Sequence, residues 1–430
     1  MFSKQTILQY ISFLRRYILF VFISIVLLHF LKDTFYQYYL ALISAALVCS
    51  IFVYHEVKIL EVKLINNVAI IWLVYCFSLL LIILISILYI DRFDLTPYEI
   101  LMAFGKLFIN PTIVLLTFFL AKDRDDYKKL LAIFSFIILL AVLSIILQII
   151  YGHIPFFGKS YYHEARFGLE GFSSITGSVN SYGISFHLAA LFIFFSKNIN
   201  NFLKSLLIFI MFTGANLALS KSGLINIALT TCIMSLFIFH SKNWQIFLGL
   251  LILFITSFLF IDVFSASFIG LLINTTGIEF LPNTLNQENY IPLYENMYER
   301  ISLRWGAPTD MLIKDYIFGI GIYAASGVLG IMNPVTSHNS FIDLYFMGGL
   351  FSISSLVLLL ITIQKSLIKI YFSSNSKDTL ALIFFSANSL LILNAIFFNG
   401  ALFHPIISFS FCLSIAYILK IMLKTDDFYG

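Results

Sequence analysis

Charge is what this sequence has least of. Only 11% of its 430 residues are charged, against 60% hydrophobic and 17% aromatic residues. A soluble domain carries roughly twice that charged fraction, so a fully water-exposed surface is excluded and nucleic acid is not an expected partner. Cysteine is also scarce. Cys49, Cys76, Cys232 and Cys412 all fall inside apolar runs, none at metal-ligand spacing to another cysteine or to a histidine. They read as small buried hydrophobes rather than a metal cluster or a disulfide framework. Lys4, Arg15 and Arg16 flank the first apolar run, but no small-residue cleavage site follows, so a retained first helix is expected. Low-complexity stretches and internal repeats are missing too.

What the chain has in abundance is long apolar runs. Runs of roughly 18 to 23 residues are long enough to cross a hydrocarbon core of about 30 Å as helices. Helices are the expected spanning element, because lipid offers the backbone no hydrogen-bond partners. The spacing predicts an all-α polytopic membrane protein, one integral membrane domain over 1–430, with twelve spans. These are 12–31, 37–54, 68–90, 100–121, 129–151, 181–196, 202–219, 223–240, 244–262, 340–362, 379–398 and 402–423. Placing both termini in the cytoplasm puts seventeen Lys and Arg residues inside and eight outside, with Lys106 within a span. That bias selects cytoplasmic termini.

Two external segments then stand out. Residues 152–180 hold Arg166 and lead to Asn180 near the start of a span; residues 263–339 form a large late loop between spans 9 and 10. Its first part, "VFSASFIGLLINTTGIEFL", is apolar enough to cross. Crossing would move the cations at 365–377 and 420–424 outside, so it reads as re-entrant or interfacial. The loop carries six acidic residues against Arg300, Arg304 and Lys314, a net charge of −3. Broad steering of anions is excluded, and any anion site there must be local.

Arg300 and Arg304 are spaced i, i+4, so on a helix they share a face and could clamp a phosphate or pyrophosphate. The alternative is an amphipathic helix whose arginines pair with Glu299 or reach lipid headgroups. In "FGIGIYAASG", Gly319 and Gly321 permit a tight turn, though no strand precedes it and no Gly-Lys-Ser/Thr follows, so it is no phosphate loop. "TSHNSFIDLYFMGG" opens the next span. Thr336 or Ser337 can cap that helix, Ser340 with Asp343 has cap-like spacing, and Asn339 and Asp343 share a face. His338 suits proton transfer or orientation of a hydroxyl, or else is a wet histidine at a helix start. Lys221, in "ALSKSGL", either lines the same pocket or anchors at the interface, as does Asn180. Lys106, beside Asn110 and Pro111, is an intramembrane charge that is either functional or snorkelling.

Together these pieces resemble the bacterial O-antigen polymerase and O-antigen ligase superfamily. The resemblance rests on "GSVNSYG", "ALSKSGL", "RISLRW", "IFGIG" and "SHNSFIDLYFMGGL", in that family's order, over roughly residues 160–360. Two positions depart from the pattern. Lys221 stands where an Arg is usual, and the spacing of Arg300, Arg304 and Trp305 leaves open which arginine matches. The resemblance implies a multi-pass protein of the bacterial inner membrane with its active site facing the periplasm. It implies a metal-independent glycosyl transfer without cofactors from an undecaprenyl-pyrophosphate-linked oligosaccharide. Membrane lipids and a chain-length regulator are the further partners. On that basis His338, Arg300 and Arg304 are the expected catalytic residues, and Asn339, Arg166, Lys221 and Asn180 the expected substrate contacts.

Overall fold

The computed structural model describes residues 4–28, 42–44, 46, 67–88, 90, 95–152, 154, 174–177, 179–218, 221–240, 317–322, 339–373, 378–397 and 401–423. Among them every regular element is an α-helix. In chain order these are α1 (Lys4–Leu27), α2 (Asn67–Leu88), α3 (Pro97–Leu120), α4 (Arg124–Tyr151), α5 (Val179–Phe195), α6 (Asn201–Leu217), α7 (Lys221–His240), α8 (Ser340–Ser373), α9 (Thr379–Phe397) and α10 (Phe409–Leu423). Five are long and apolar enough to cross a membrane: α2, α3, α4, α8 and α9; α1, α5, α6, α7 and α10 contribute shorter apolar stretches. The described residues are thus all-helical, with the several long apolar helices of a multi-pass membrane protein. Spans expected at 37–54 and 244–262 lie outside the described residues, apart from Leu42–Ser44 and Ala46.

The chain divides into two compact units. The first gathers α1, α2, α3, the start of α4, α8, α9 and α10; the second holds the rest of α4 with α5, α6 and α7. In the first, α8 packs most extensively on α2 and α9, and α10 on α3. The outward faces stay apolar, as lipid requires: Leu73, Phe77, Leu80 and Leu84 recur along one exposed stripe of α2. In the second unit, small residues let backbones approach. A Cβ on Gly223 of α7 would stand 3.3 Å from the Gly183 Cα of α5, and Asn226 Nδ2 donates to the Gly183 carbonyl at 3.1 Å.

Local chemistry explains several helix ends. The sequence Thr96-Pro97-Tyr98-Glu99 starts α3 with a capping box: Thr96 Oγ1 accepts from Glu99 N (3.3 Å), and Glu99 Oε2 accepts from Thr96 N (2.7 Å). Proline at the first helical position loses no bond there. At the start of α4, Asp123 Oδ1 accepts from Asp126 N (3.0 Å) while Asp126 Oδ2 accepts from Lys122 N (2.8 Å), and both carboxylates also meet Arg16 of α1, at 2.7 Å and 3.0 Å. Between those two carboxylates in sequence, Arg124 pairs with Asp378 at 2.8 Å while Asp378 Oδ1 caps α9 through Leu380 N and Ala381 N. Tyr417 of α10 donates to the same carboxylate at 2.5 Å.

Asp378 thereby ties α4, α9 and α10 together. Tyr417→Phe should remove one bond to a buried charge and lower stability by about 1.5–3 kcal/mol. A fall in the apparent melting temperature of detergent-purified protein checks it, with the variant's membrane level unchanged.

Three spans differ from expectation. The first helix begins at Lys4 rather than 12. The last helix begins at Phe409 rather than 402, because Ala401–Ser408 is irregular yet buried. The helix opening at Ser340 runs on to Ser373 but is interrupted at Gly349, with φ 63° and ψ −162°.

Candidate functional site

The chemistry-bearing start of α8 is fixed by its own sequence. Asn339 is the N-cap: its Oδ1 accepts from Phe341 N at 2.9 Å and Ile342 N at 3.1 Å. Thr336 and Ser337, the caps expected from sequence, lie outside the described residues. Ser340 does not cap either; its Oγ accepts from Ala401 N at 3.0 Å. Asp343, in the first turn, is fully buried with Ser340, and its backbone N–H donates to the Asn339 carbonyl at 2.9 Å. A carboxylate there is favoured by the helix dipole.

Nine residues on, the break at Gly349 receives the "FGIG" turn. An uninterrupted helix would bond Phe351 N to Met347 O and Leu350 N to Phe346 O. Instead Phe351 N donates to Ile317 O (3.1 Å), and Ile320 N donates to Phe346 O (3.0 Å). Ile322 N donates to Ser86 Oγ of α2 at 2.9 Å. Irregular backbone at membrane depth must find partners within the protein, and here each segment supplies them to the other. Gly319 and Gly321 have φ of 73° and 78°, the tight turn expected of them. A Cβ on Gly319 would meet Met347 O at 2.5 Å, one on Gly321 would meet Ser86 Oγ at 2.6 Å, and one on Gly349 would collide with the Ile317 carbonyl. Ile320 and Ile322 are buried, so residues 317–322 pack among the helices well before the chain reaches Ser340.

The third wall of this region is Ala401–Ser408. Besides the Ser340 bond to Ala401, Asn110 Nδ2 of α3 donates to Leu402 O at 2.8 Å across 292 residues of sequence. Asn110 stands just before Pro111, and Lys106 one turn earlier on the same helix is half-buried. The structure therefore brings Asn339, Ser340 and Asp343 together with 401–402 and, through Leu402, with Asn110. Comparison with family models, with curated proteins and with solved structures returns no match. The site must speak through its own chemistry.

His338, Arg300, Arg304 and Arg166 lie outside the described residues. Asn180 is the second residue of α5 and Lys221 the first residue of α7, both in the second unit. That unit has its own buried turn, Ser174–Gly177, where Ile175 N donates to Ser144 Oγ of α4 at 3.3 Å and Gly177 takes φ 105°. Its α5 buries His187, whose Nδ1 faces the Ile184 carbonyl at 2.5 Å. His404, His187 and Ser86 do not stand out in the sequence as site residues. The only signals were polar residues inside apolar runs, such as the "HP" at 404–405.

Proposed function

We propose that this chain is a glycan polymerase of the bacterial inner membrane, extending O-antigen or a related surface polysaccharide at the periplasmic face. The oligosaccharide is carried on undecaprenyl pyrophosphate. A hydroxyl oxygen of the acceptor sugar attacks the anomeric carbon of the donor and forms the new glycosidic bond. The bond from that carbon to pyrophosphate breaks, and the lipid pyrophosphate leaves with the electron pair. The hydroxyl proton passes to His338, with Asn339 shaping the acceptor side. Arg300 and Arg304 bear the charge growing on the leaving group, with Arg166 and Lys221 as further cationic contacts and Asn180 at the entry to α5.

One observation carries the reading: the motif order from "GSVNSYG" to "SHNSFIDLYFMGGL" on the side that the charge bias makes external. Two of those motifs, "IFGIG" and "YFMGG", also interlock backbone to backbone. Twelve spans with cytoplasmic termini fit this arrangement. Arg16, Asp123, Asp126 and Arg124, Asp378, Tyr417 cluster from segments that the count puts inside or toward the inner ends of spans. Ser86, 317–322, Asn339 and 401–402 come from segments that it puts outside or at the outer ends of spans.

Two other readings have support. A ligase moving finished glycan to lipid A–core would use the same motifs. A transporter of lipid-linked glycan would suit the interruption of α8, since discontinuous helices form midplane sites in such folds. Deleting the gene separates them on a lipopolysaccharide gel. Loss of the polymerase should leave core capped with a single repeat and no ladder, whereas core without any repeat would mean a ligase. Passage of labelled lipid-linked glycan across liposomes without bond formation would favour transport.

A further inference from the structure

An irregular, buried stretch between two membrane helices is unusual, because helical backbone would satisfy itself. Ala401–Ser408 is such a stretch, and it is held by side chains from two other helices, Ser340 on Ala401 N and Asn110 on Leu402 O. Of its eight residues seven are buried; His404 alone reaches accessible surface. Its backbone is fixed as well, the His404 carbonyl accepting from Ser408 N at 2.9 Å and Ser408 Oγ at 2.8 Å. The turn thus brings part of one imidazole to the surface of an otherwise sealed segment, the ring's Nδ1 remaining buried.

Asn110 adds a second, independent observation. The Leu402 carbonyl can only accept, so the Asn110 amide must turn its Nδ2 toward it. That leaves Oδ1 as a buried acceptor with no hydrogen-bond partner among the described residues, in a side chain 6% exposed. An acceptor left unmade in such a place is unfavourable and calls for a donor. Lys106 one turn away opposes a cationic ligand. A neutral hydroxyl satisfies both groups, since it donates through its proton and accepts through its lone pairs.

We propose that Asn110 and His404 form a hydroxyl-recognition site, in which a sugar hydroxyl donates to Asn110 Oδ1 and pairs with the His404 imidazole. This rests on the polymerase reading for its ligand, the acceptor end of a lipid-linked repeat. The site belongs to the same region as the start of α8, because Ala401 and Leu402 join Ser340 to Asn110. Asn110 is also structural, so His404 is the residue on which the site is tested.

The test uses full-length protein in detergent with synthetic lipid-linked single repeat. His404→Ala should raise the acceptor KM by about tenfold with kcat changed less than about twofold, the loss of roughly one hydrogen bond. His404→Gln, which keeps hydrogen-bonding capacity, should stay within about threefold of wild type by the same reckoning. His404→Cys supplies a readout without turnover. A membrane-impermeant maleimide should label it from the periplasmic side, and the lipid-linked repeat should protect it. The four native cysteines, all in apolar runs, give the wild-type background. No labelling would mean sealed packing and overturn the site. Labelling without protection, or an unchanged KM in His404→Ala, would mean a water-filled cavity and overturn recognition. Protection in a protein that never transfers glycan would sustain the site and sink the polymerase reading instead.

Discussion

Gly349→Ala should cripple the protein before any question of catalysis arises. At φ 63° and ψ −162° the backbone occupies a region open essentially to glycine alone, a strain of about 1–3 kcal/mol for any other residue. The added Cβ would also strike the Ile317 carbonyl, the group that accepts the Phe351 N–H. Relieving that collision separates the 317–322 turn from α8. Phe346 O, Ile320 N, Ile317 O and Phe351 N then lose their partners in surroundings with no water to replace them. The two broken bonds, of which Ile320–Phe346 joins buried residues, add about 2–6 kcal/mol. The variant should therefore show low membrane level or a sharply lower apparent melting temperature, with fast amide exchange at Ile320 and Phe351. Leu350→Ala, one residue on at an exposed position, should leave both near wild type. A Gly349→Ala protein with normal melting and slow exchange would show that the interlock is dispensable.

That interruption was not legible in the sequence, and the reason is physical. Hydropathy reports where a chain is apolar, not whether its backbone is helical there. Gly348 and Gly349 sit inside an apolar run, and glycine is common in membrane helices, so the run read as one span. Phe403, Ile406 and Ile407 likewise carried the apolar pattern through Pro405 and placed the start of the last helix at 402 instead of 409. The positions of most other helices followed directly from run length. Gly319 and Gly321 were readable as a turn because two glycines bracket one residue. What they pack against was not, since the Ser86 bond to Ile322 spans 236 residues. The Asn339 cap was half legible: Thr336, Ser337 and Asn339 are all capping residues within four positions, and only the fold chooses among them. The Asn110–Leu402 bond left no trace in either local sequence.

Arg300→Ala and Arg304→Ala should each abolish the polymer ladder while the protein stays in the membrane at its normal level. The polymerase reading asks two guanidiniums to bear the negative charge that develops as pyrophosphate leaves. At i, i+4 they would share one face of a helix, and each could hold phosphate oxygens with two N–H groups. The segment around them is net acidic at −3, so no background field would make good the loss of either one. Removing a preorganised donor to developing charge slows a reaction by about 10²–10³, or roughly 2.7–4 kcal/mol, enough to reduce a ladder to single repeats. Arg→Lys variants should fall between, because an ammonium keeps the charge but not the planar fork. Arg300→Ala combined with Arg304→Ala should be little worse than either alone, as expected of groups acting on one leaving group. Immunoblots of membranes alongside lipopolysaccharide gels give both readouts. A full ladder from either single variant would strip that arginine of its role. A full ladder from both would leave the pair as lipid-headgroup anchors, the other reading their spacing allows.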